Sequence, residues 1–257
     1  MRNIKIVFSY DGGLFFGSQA QSNKKTVQDE LELAIFKLTR EKVRVTIAGR
    51  TDRGVHAFSQ VANFITGSSI PAGKFPQALN SKLDRGIVVN NADEMPLEFN
   101  SRKQAKSREY LYFVFNGRNL PVMFWDRVLH VTRPLDMKKM SEAAKLFVGK
   151  HEFVNFCGKG SSQDHYIRRV DEMEVLPAGR DMIKELGFDG ELICFRIVAN
   201  SFLYKMVRFI VGTLLDVGTG RIGAKTVKKM IKGGPVDVKC SVVAPCGLYL
   251  SNVKYQV

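Results

Sequence analysis

Asp52 lies between two guanidinium groups, Arg50 and Arg53, in a stretch that reads AGRTDRGVHAFSQ over residues 48–60. Gly49 and Gly54 bracket it, and glycine at such places marks tight backbone turns. Two nearby cations favour the ionised form of a carboxyl group. A charged, desolvated carboxylate suits nucleophilic attack, or stabilisation of positive charge developing at a sugar carbon. A salt-bridged turn has the same composition, so the loop by itself leaves the two readings evenly balanced.

Two further groups of residues could take part in such chemistry. In SFLYKMVRFIVGTLLDVG, residues 201–218, Leu203, Met206, Val207, Ile210, Leu214 and Val217 fall on one helical stripe. Ser201, Lys205, Arg208, Gly212 and Asp216 fall opposite. A helix with cations and small residues on its second face can line a cleft, although a solvated face is the commoner outcome. Gly212 costs about 1 kcal/mol relative to alanine in a helix interior, which is easier to accept if something must come close there. Tyr110 and Tyr112 share one face of the strand REYLYF. For one of them core packing with a bonded hydroxyl is expected, and the other could stack on a base. VGTGRIG, residues 217–223, matches GxGxxG. It follows a helix instead of a strand, so it is not read as a dinucleotide site, and Gly218 is expected to cap the helix.

The elements that must position these residues are read from periodicity. Residues 3–10 alternate, with Ile4, Ile6, Phe8 and Tyr10 on one face, as in a half-buried strand. Thr26 and Asp29 form a capping signature, followed by Val27, Leu31, Ala34, Ile35 and Leu38 on one helical face. A strand over Val43–Ala48 leads into the Asp52 loop and the chain returns through Val61–Ile65. The loop therefore sits at the tip of a broad hairpin. KFPQALNSKL reads as a short helix and GIVVN as a strand. A helix is expected near 136–148, a loop over GKHEFVNFCGKGSSQ, strands near 168–176 and 191–198, and the longest helix from about Ser201. The polar stretch SRKQAKSRE sets the expected domain boundary. An N-terminal α+β domain, 1–104, would carry the Asp loop, and a C-terminal α+β domain, 105–257, the tyrosine and the arginine helix. Hairpin-like strand pairs favour α+β with mainly antiparallel sheets.

Composition narrows the class of ligand. Among 257 residues, 39 Lys and Arg against 25 Asp and Glu give a net charge of +14, and the sequence pI is about 9.7. Such a balance is the electrostatic footprint of a nucleic-acid binder. The four cysteines form no CxxC and the four histidines are scattered, so no metal site is expected. The alternating N-terminus is not a signal peptide, and no apolar run reaches membrane-spanning length. A cytoplasmic protein without a membrane anchor is the expectation, and free thiols fit a reducing compartment.

The ordered motifs resemble one family. GRTDRGVHA is similar to the signature loop of the TruA family of tRNA pseudouridine synthases. YDGGLFFGSQAQ with TVQDELELAI, LNSKL, FNSR with REYLY, GKHEFVNF, YIRRV, NSFLYKMVRFIVGTLLDVG and APCGLYL follow in the family's order across nearly the whole chain. The resemblance implies that Asp52 is the essential carboxylate and that Arg50 takes the space of a flipped nucleotide. It also implies that Tyr110 stacks on the target uracil and that Arg208 pairs with the carboxylate. It implies a homodimer acting on uridines 38, 39 and 40 of the tRNA anticodon arm, with one tRNA contacting both subunits. Two α+β halves would be joined around a basic cleft. The product is an isomer of the substrate, so no cofactor is called for.

The sequence departs from the family pattern at four places. Ser18 stands where tryptophan is frequent, Arg53 where a small residue is common, Lys205 where histidine is common, and Ser101 where alanine is usual. Arg53 and Lys205 are candidate substrate-binding residues beside Arg50. The departures bear on the electrostatics around Asp52 and on the choice among the three tRNA positions. A non-catalytic binder of structured RNA is the alternative from another class. A glycoside-cleaving enzyme finds no second carboxylate in a recognisable motif.

Overall fold

The fold was read from a computed structural model that describes residues 1–158, 160, 165–185, 187–235 and 241–256. The chain forms two compact units, Met1–Arg108 with Tyr249–Val257, and Glu109–Leu248.

In the first unit β1 (Arg2–Tyr10) buries Ile4, Ile6 and Phe8 completely, as its alternation predicts. Helix α1 (Val27–Thr39) opens where Thr26 accepts a hydrogen bond from the Asp29 amide, and Arg40 ends it in a left-handed conformation. Strands β2 (Thr46–Ile47) and β3 (His56–Thr66) pair antiparallel, Thr46 opposite Asn63. The expected strand over 43–48 is thus only two residues long, but the loop does sit at the hairpin tip. Helix α2 (Phe75–Asn80) and β4 (Ile87–Met95) follow. Strand β1 lies between β3 and β4, antiparallel to both. Phe75 meets Phe64 edge-on at 5.7 Å between ring centres. Each such fully buried side chain is worth roughly 1.5–3 kcal/mol. The cross-strand Lys5–Asp93 pair at 2.9 Å is part exposed, and pairs of that kind contribute about 0–1 kcal/mol. The apolar face therefore sets the register of this sheet.

Strand β5 (Ala105–Gly117) carries the chain from the first unit into the second. There follow β6 (Leu129–Val131), α3 (Met137–Ala144), β7 (Gly149–Glu152), β8 (Ile167–Pro177), α4 (Arg180–Glu185), β9 (Gly190–Ala199), α5 (Met206–Gly218) and α6 (Ala224–Met230). Within this unit the strand order is β5-β9-β8-β7, with β6 alongside β5. Finally β10 (Leu248–Tyr255) returns to the first unit and runs parallel to β3, Tyr249 opposite His56.

Three expectations are corrected here. The segment beginning GKHE is not a loop throughout: Gly149–Glu152 pairs antiparallel with β8, Gly149 opposite Val170. Part of the rest of that segment lies outside the described residues. The helix expected from Ser201 begins at Met206, because Lys205 is left-handed at φ 60°, a conformation that a right-handed helix excludes. Gly218 is the last helical residue instead of the left-handed cap; the positive φ falls at Gly220, whose amide bonds to the Val217 carbonyl at 3.0 Å.

Candidate active site

The loop that carries Asp52 is fastened residue by residue within the first unit. At its start the Gln60 carboxamide donates to the Gly49 carbonyl at 2.9 Å. Arg108 donates to the Ala48 carbonyl at 2.8 Å and to the Arg102 carbonyl at 2.9 Å. Thr51 is held next. Its hydroxyl lies 2.7 Å from the buried Tyr10 hydroxyl. Its amide donates to Ser18 Oγ at 2.8 Å, and its carbonyl accepts from the Ser18 amide at 3.1 Å. Beyond Asp52 the chain turns sharply. The Val55 amide donates to the Asp52 carbonyl at 3.1 Å, and Gly54 sits at φ 80°, as the third residue of a type II turn requires. Asp52 itself is only partly buried. It stands between two fastened backbone segments, with its side chain at an accessible place.

The glycine-rich segment after β1 is the bed on which this loop rests. A Cβ on Gly12 would lie 2.0 Å from the Val55 carbonyl oxygen, so only glycine allows the approach. The Gly54 amide donates to the Gly12 carbonyl at 3.1 Å. The Gly12 amide donates to Nδ1 of His56 at 3.1 Å, and that ring is 3% exposed and stacked on Tyr249 at 4.7 Å. The Asp11 carboxylate lies 3.2 Å from the same nitrogen, so Nδ1 has both a donor and an acceptor beside it.

The two arginines beside Asp52 do not neutralise it. Among the described residues neither Arg50 nor Arg53 forms an ion pair with the carboxylate. Arg53 extends its exposed guanidinium over the Phe16 ring, 4.4 Å from the centre. Arg50 turns towards Arg102; burial lowers its pKa, and the charge of Arg102 lowers it further.

The other candidates lie in the second unit. Tyr112 is fully buried and donates to the Ala244 carbonyl at 2.7 Å; burial raises its pKa. It is the packing member of the tyrosine pair. Tyr110 is 7% exposed and meets the Phe202 ring edge-on at 5.0 Å. Arg208 is partly exposed on α5, and its Nε donates to the Val243 carbonyl at 2.7 Å, which fixes the plane of the guanidinium. Lys205 precedes the helix, with its ammonium 4.8 Å from the centre of the Tyr204 ring.

The face expected to line a cleft along α5 is mostly covered. A Cβ on Gly212 would lie 2.0 Å from the Ser241 carbonyl oxygen. What comes close to this glycine is the chain itself. Asp216 is bound by Arg221 through Nε at 2.7 Å. Helix α5 is buried on nearly every side, as expected of a helix apolar almost all round. Of its charged residues, Arg208 remains as a candidate for chemistry.

Sequence reasoning missed Ser18, Gln60 and Arg108, which hold the loop. Their roles arise from hydrogen bonds to backbone groups distant in sequence, and only their places inside quoted motifs, with the departure noted at Ser18, hinted at them. No group of three or more His, Cys, Asp or Glu side chains is placed to hold a metal ion among the described residues.

Comparison with known proteins accounts for the ordering of these motifs. A family model described as tRNA pseudouridine synthase matches residues 6–102 and 143–256. The chain is 40% identical over 255 residues to the tRNA pseudouridine synthase A of Caldicellulosiruptor saccharolyticus, covering 99% of this chain and 100% of the relative. It is 40% identical over 256 residues to the enzyme of the same name from Acetivibrio thermocellus, covering 99% and 100%. The Bacillus licheniformis enzyme of that name is 40% identical over 254 residues, covering 98% of each chain. With a partly exposed carboxylate in the fastened GRTDRG loop and full-length likeness of this degree, the chain belongs to the tRNA pseudouridine synthase family.

Proposed function

We propose that this protein converts uridine to pseudouridine in the anticodon arm of tRNA, at positions 38, 39 and 40. The observation that carries the reading is Asp52: a carboxylate on a loop fastened on both sides, in a chain that matches synthases end to end. The reaction breaks the N1–C1′ bond, turns the uracil and joins C5 to C1′. C5 loses a proton and N1 gains one, so atoms balance without an oxidant or an energy source. Asp52 serves by adding to C6, by attacking C1′, or by taking a proton from the sugar in a glycal route; all three need an ionised carboxylate at the ribose.

A stacked uridine must first leave its helix, at a cost of a few kcal/mol. Arg50 is assigned to the space that the nucleotide vacates and Tyr110 to the extruded uracil. An enclosed aromatic ring suits a base that has already left its stack. Arg208, held by the Val243 carbonyl, is assigned to the Asp52 carboxylate, and Lys205 and Arg53 to the RNA. The protein acts as a cytoplasmic homodimer with one tRNA touching both subunits. The described residues include no helix long and apolar enough to cross a membrane.

Incubation with a tRNA transcript carrying tritium at uridine C5 tests the reading, with nucleoside chromatography to place the product. Tritium release confined to the anticodon arm is expected. Asp52→Asn should reduce release by about 10³-fold, within the range general acid–base groups supply, while RNA binding persists. Release by Asp52→Asn at the wild-type rate would overturn the assignment.

A further inference from the structure

In the first unit a cavity of about 220 Å³ opens between Arg44, Arg50 and Arg102, with Ser18, Gln19 and Gln28 in its wall. Sites that enclose a whole small molecule usually span about 300–1,000 Å³. This one is smaller, which suits a single group projecting from a longer ligand. Its walls are set firmly. The Gln28 carboxamide donates to Glu32 at 2.8 Å and to the Val45 carbonyl at 3.1 Å, and accepts from the Ala20 amide at 3.0 Å. Glu32 also accepts from the Val45 amide at 3.0 Å.

The charge count around the cavity is unbalanced. Arg44 faces Glu32 at 3.6 Å, which offsets one positive charge. Arg50 and Arg102 have no ion pair among the described residues, and both side chains reach solvent; what burial Arg50 has, and then the charge of Arg102, make the Arg50 cation harder to hold. A fold gains nothing from bringing two unmatched guanidinium groups together. Their repulsion is relieved when an anion sits between them, and guanidinium donors match phosphate oxygens in pairs. The backbone of Arg102, not its side chain, secures the local turn: its amide donates to Asn100 at 3.1 Å and its carbonyl accepts from Arg108 at 2.9 Å. The side chain of Arg102 thus has no part in those bonds.

We infer that the cavity bounded by Arg44, Arg50 and Arg102 is a binding site for one backbone phosphate of the RNA substrate, with Arg102 its principal cation. The inference rests on the reading of the protein as an RNA-modifying enzyme. The phosphate belongs to a stretch of strand beside the target uridine, because Arg50 is two residues from Asp52. The site acts as a register pin: it binds no base edge, and it fixes where the strand runs relative to the carboxylate.

The test is tRNA binding across a series of salt concentrations, with wild type, Arg102→Gln, Arg102→Lys and Arg44→Gln. Loss of one phosphate contact should flatten the slope of log K against log salt by about 0.7–0.9. Arg102→Gln should show that change with roughly tenfold weaker binding at low salt. Arg102→Lys should restore the slope, and Arg44→Gln should move it less, since Glu32 already offsets Arg44. An unchanged slope and affinity in Arg102→Gln would overturn the inference, as would unchanged affinity with collapsed turnover. Calorimetry with inorganic phosphate and uridine monophosphate separates the source. Mononucleotide binding lost in Arg102→Gln while RNA affinity holds would assign the cavity to a free nucleotide and overturn the RNA assignment. Failure of the wild type to make pseudouridine would count against the functional reading, while the binding slopes still decide the cavity.

Discussion

Ser18 holds Thr51 by both polar groups of its backbone. Its amide donates to the Thr51 carbonyl at 3.1 Å, and its hydroxyl accepts from the Thr51 amide at 2.8 Å. Ser18 is 1% exposed, so water does not readily replace either bond. The residue after Thr51 is the carboxylate on which the proposed chemistry depends.

Ser18→Ala should therefore cost stability and turnover by separate amounts. The mutant strands a buried amide, at about 1–3 kcal/mol, measurable by urea unfolding. Because the loop carrying Asp52 loses one of its two ties to Ser18, single-turnover conversion at saturating RNA should fall about tenfold or more, a larger effect than any on the dissociation constant for tRNA, since Ser18 also stands in the wall of the Arg102 cavity. A loss of affinity with unchanged turnover would show that Ser18 shapes the RNA-binding surface and not the position of the carboxylate.

The residues that do this fastening show why the sequence disclosed some features and concealed others. Helix α1 was legible because its signals are local: Thr26 caps it and the apolar residues recur within it. β1 and β5 were legible by alternation and aromatic content. The tie from Ser18 to Thr51 spans 33 positions, and that from Arg108 to Ala48 spans 60; neither has a local pattern. β7 was concealed because a four-residue strand, GKHE, takes its conformation from β8, not from its own propensity. The start of α5 was misplaced because apolar Leu203 continues the helical period while Lys205 breaks the backbone. The types of residue around Asp52 were plain, but the directions of Arg50 and Arg53 were not. Long side chains follow whichever partners folding supplies, here Arg102 with its cavity and the Phe16 ring.

Gly212→Ala separates helix propensity from packing. Alanine normally stabilises a helix interior by about 1 kcal/mol over glycine. At this position the new carbon would lie 2.0 Å from the Ser241 carbonyl oxygen, which is backbone and cannot swing aside. The expected sign is therefore reversed, with a net destabilisation of about 1–3 kcal/mol in urea unfolding. A more stable Gly212→Ala would show that the segment around Ser241 is not seated on α5.

Tyr10 predicts an alkaline limit. Burial pushes its hydroxyl up to about 12 from 10.0, against hydrogen bonds with Thr51 and Gln60 that pull it down. The folded chain therefore keeps this proton to higher pH than the unfolded chain does. Below about pH 10 both states are protonated and the contribution to stability is complete. Between about pH 10 and 12 the unfolded state ionises first, so stability falls as pH rises. Tyr10→Phe should show a shallower decline over that window and, at neutral pH, a stability lower by about 0.5–1.5 kcal/mol for the lost hydrogen bonds. Cys194, which burial pushes up to about 11, titrates in both proteins and cancels in the comparison. Parallel curves for mutant and wild type would reject the role given to this hydroxyl.

Tyr110 is the position at which stacking and hydroxyl chemistry can be told apart. Its ring lies edge-on to Phe202 at 5.0 Å, and both phenylalanine and tyrosine preserve that contact. A base stacked on an aromatic ring gains roughly 1–3 kcal/mol, so Tyr110→Leu should lower kcat/KM by about 5- to 150-fold. Tyr110→Phe should stay within about fivefold of wild type, since the ring and not the hydroxyl is assigned to the uracil. Edge-on aromatic contacts contribute about 0.5–1.5 kcal/mol of their own, so Tyr110→Leu should also unfold at lower urea, and turnover must be compared where both proteins are fully folded. If Tyr110→Phe fails as badly as Tyr110→Leu, the hydroxyl takes part in the proton transfers at C5 or N1, and the stacking assignment is wrong.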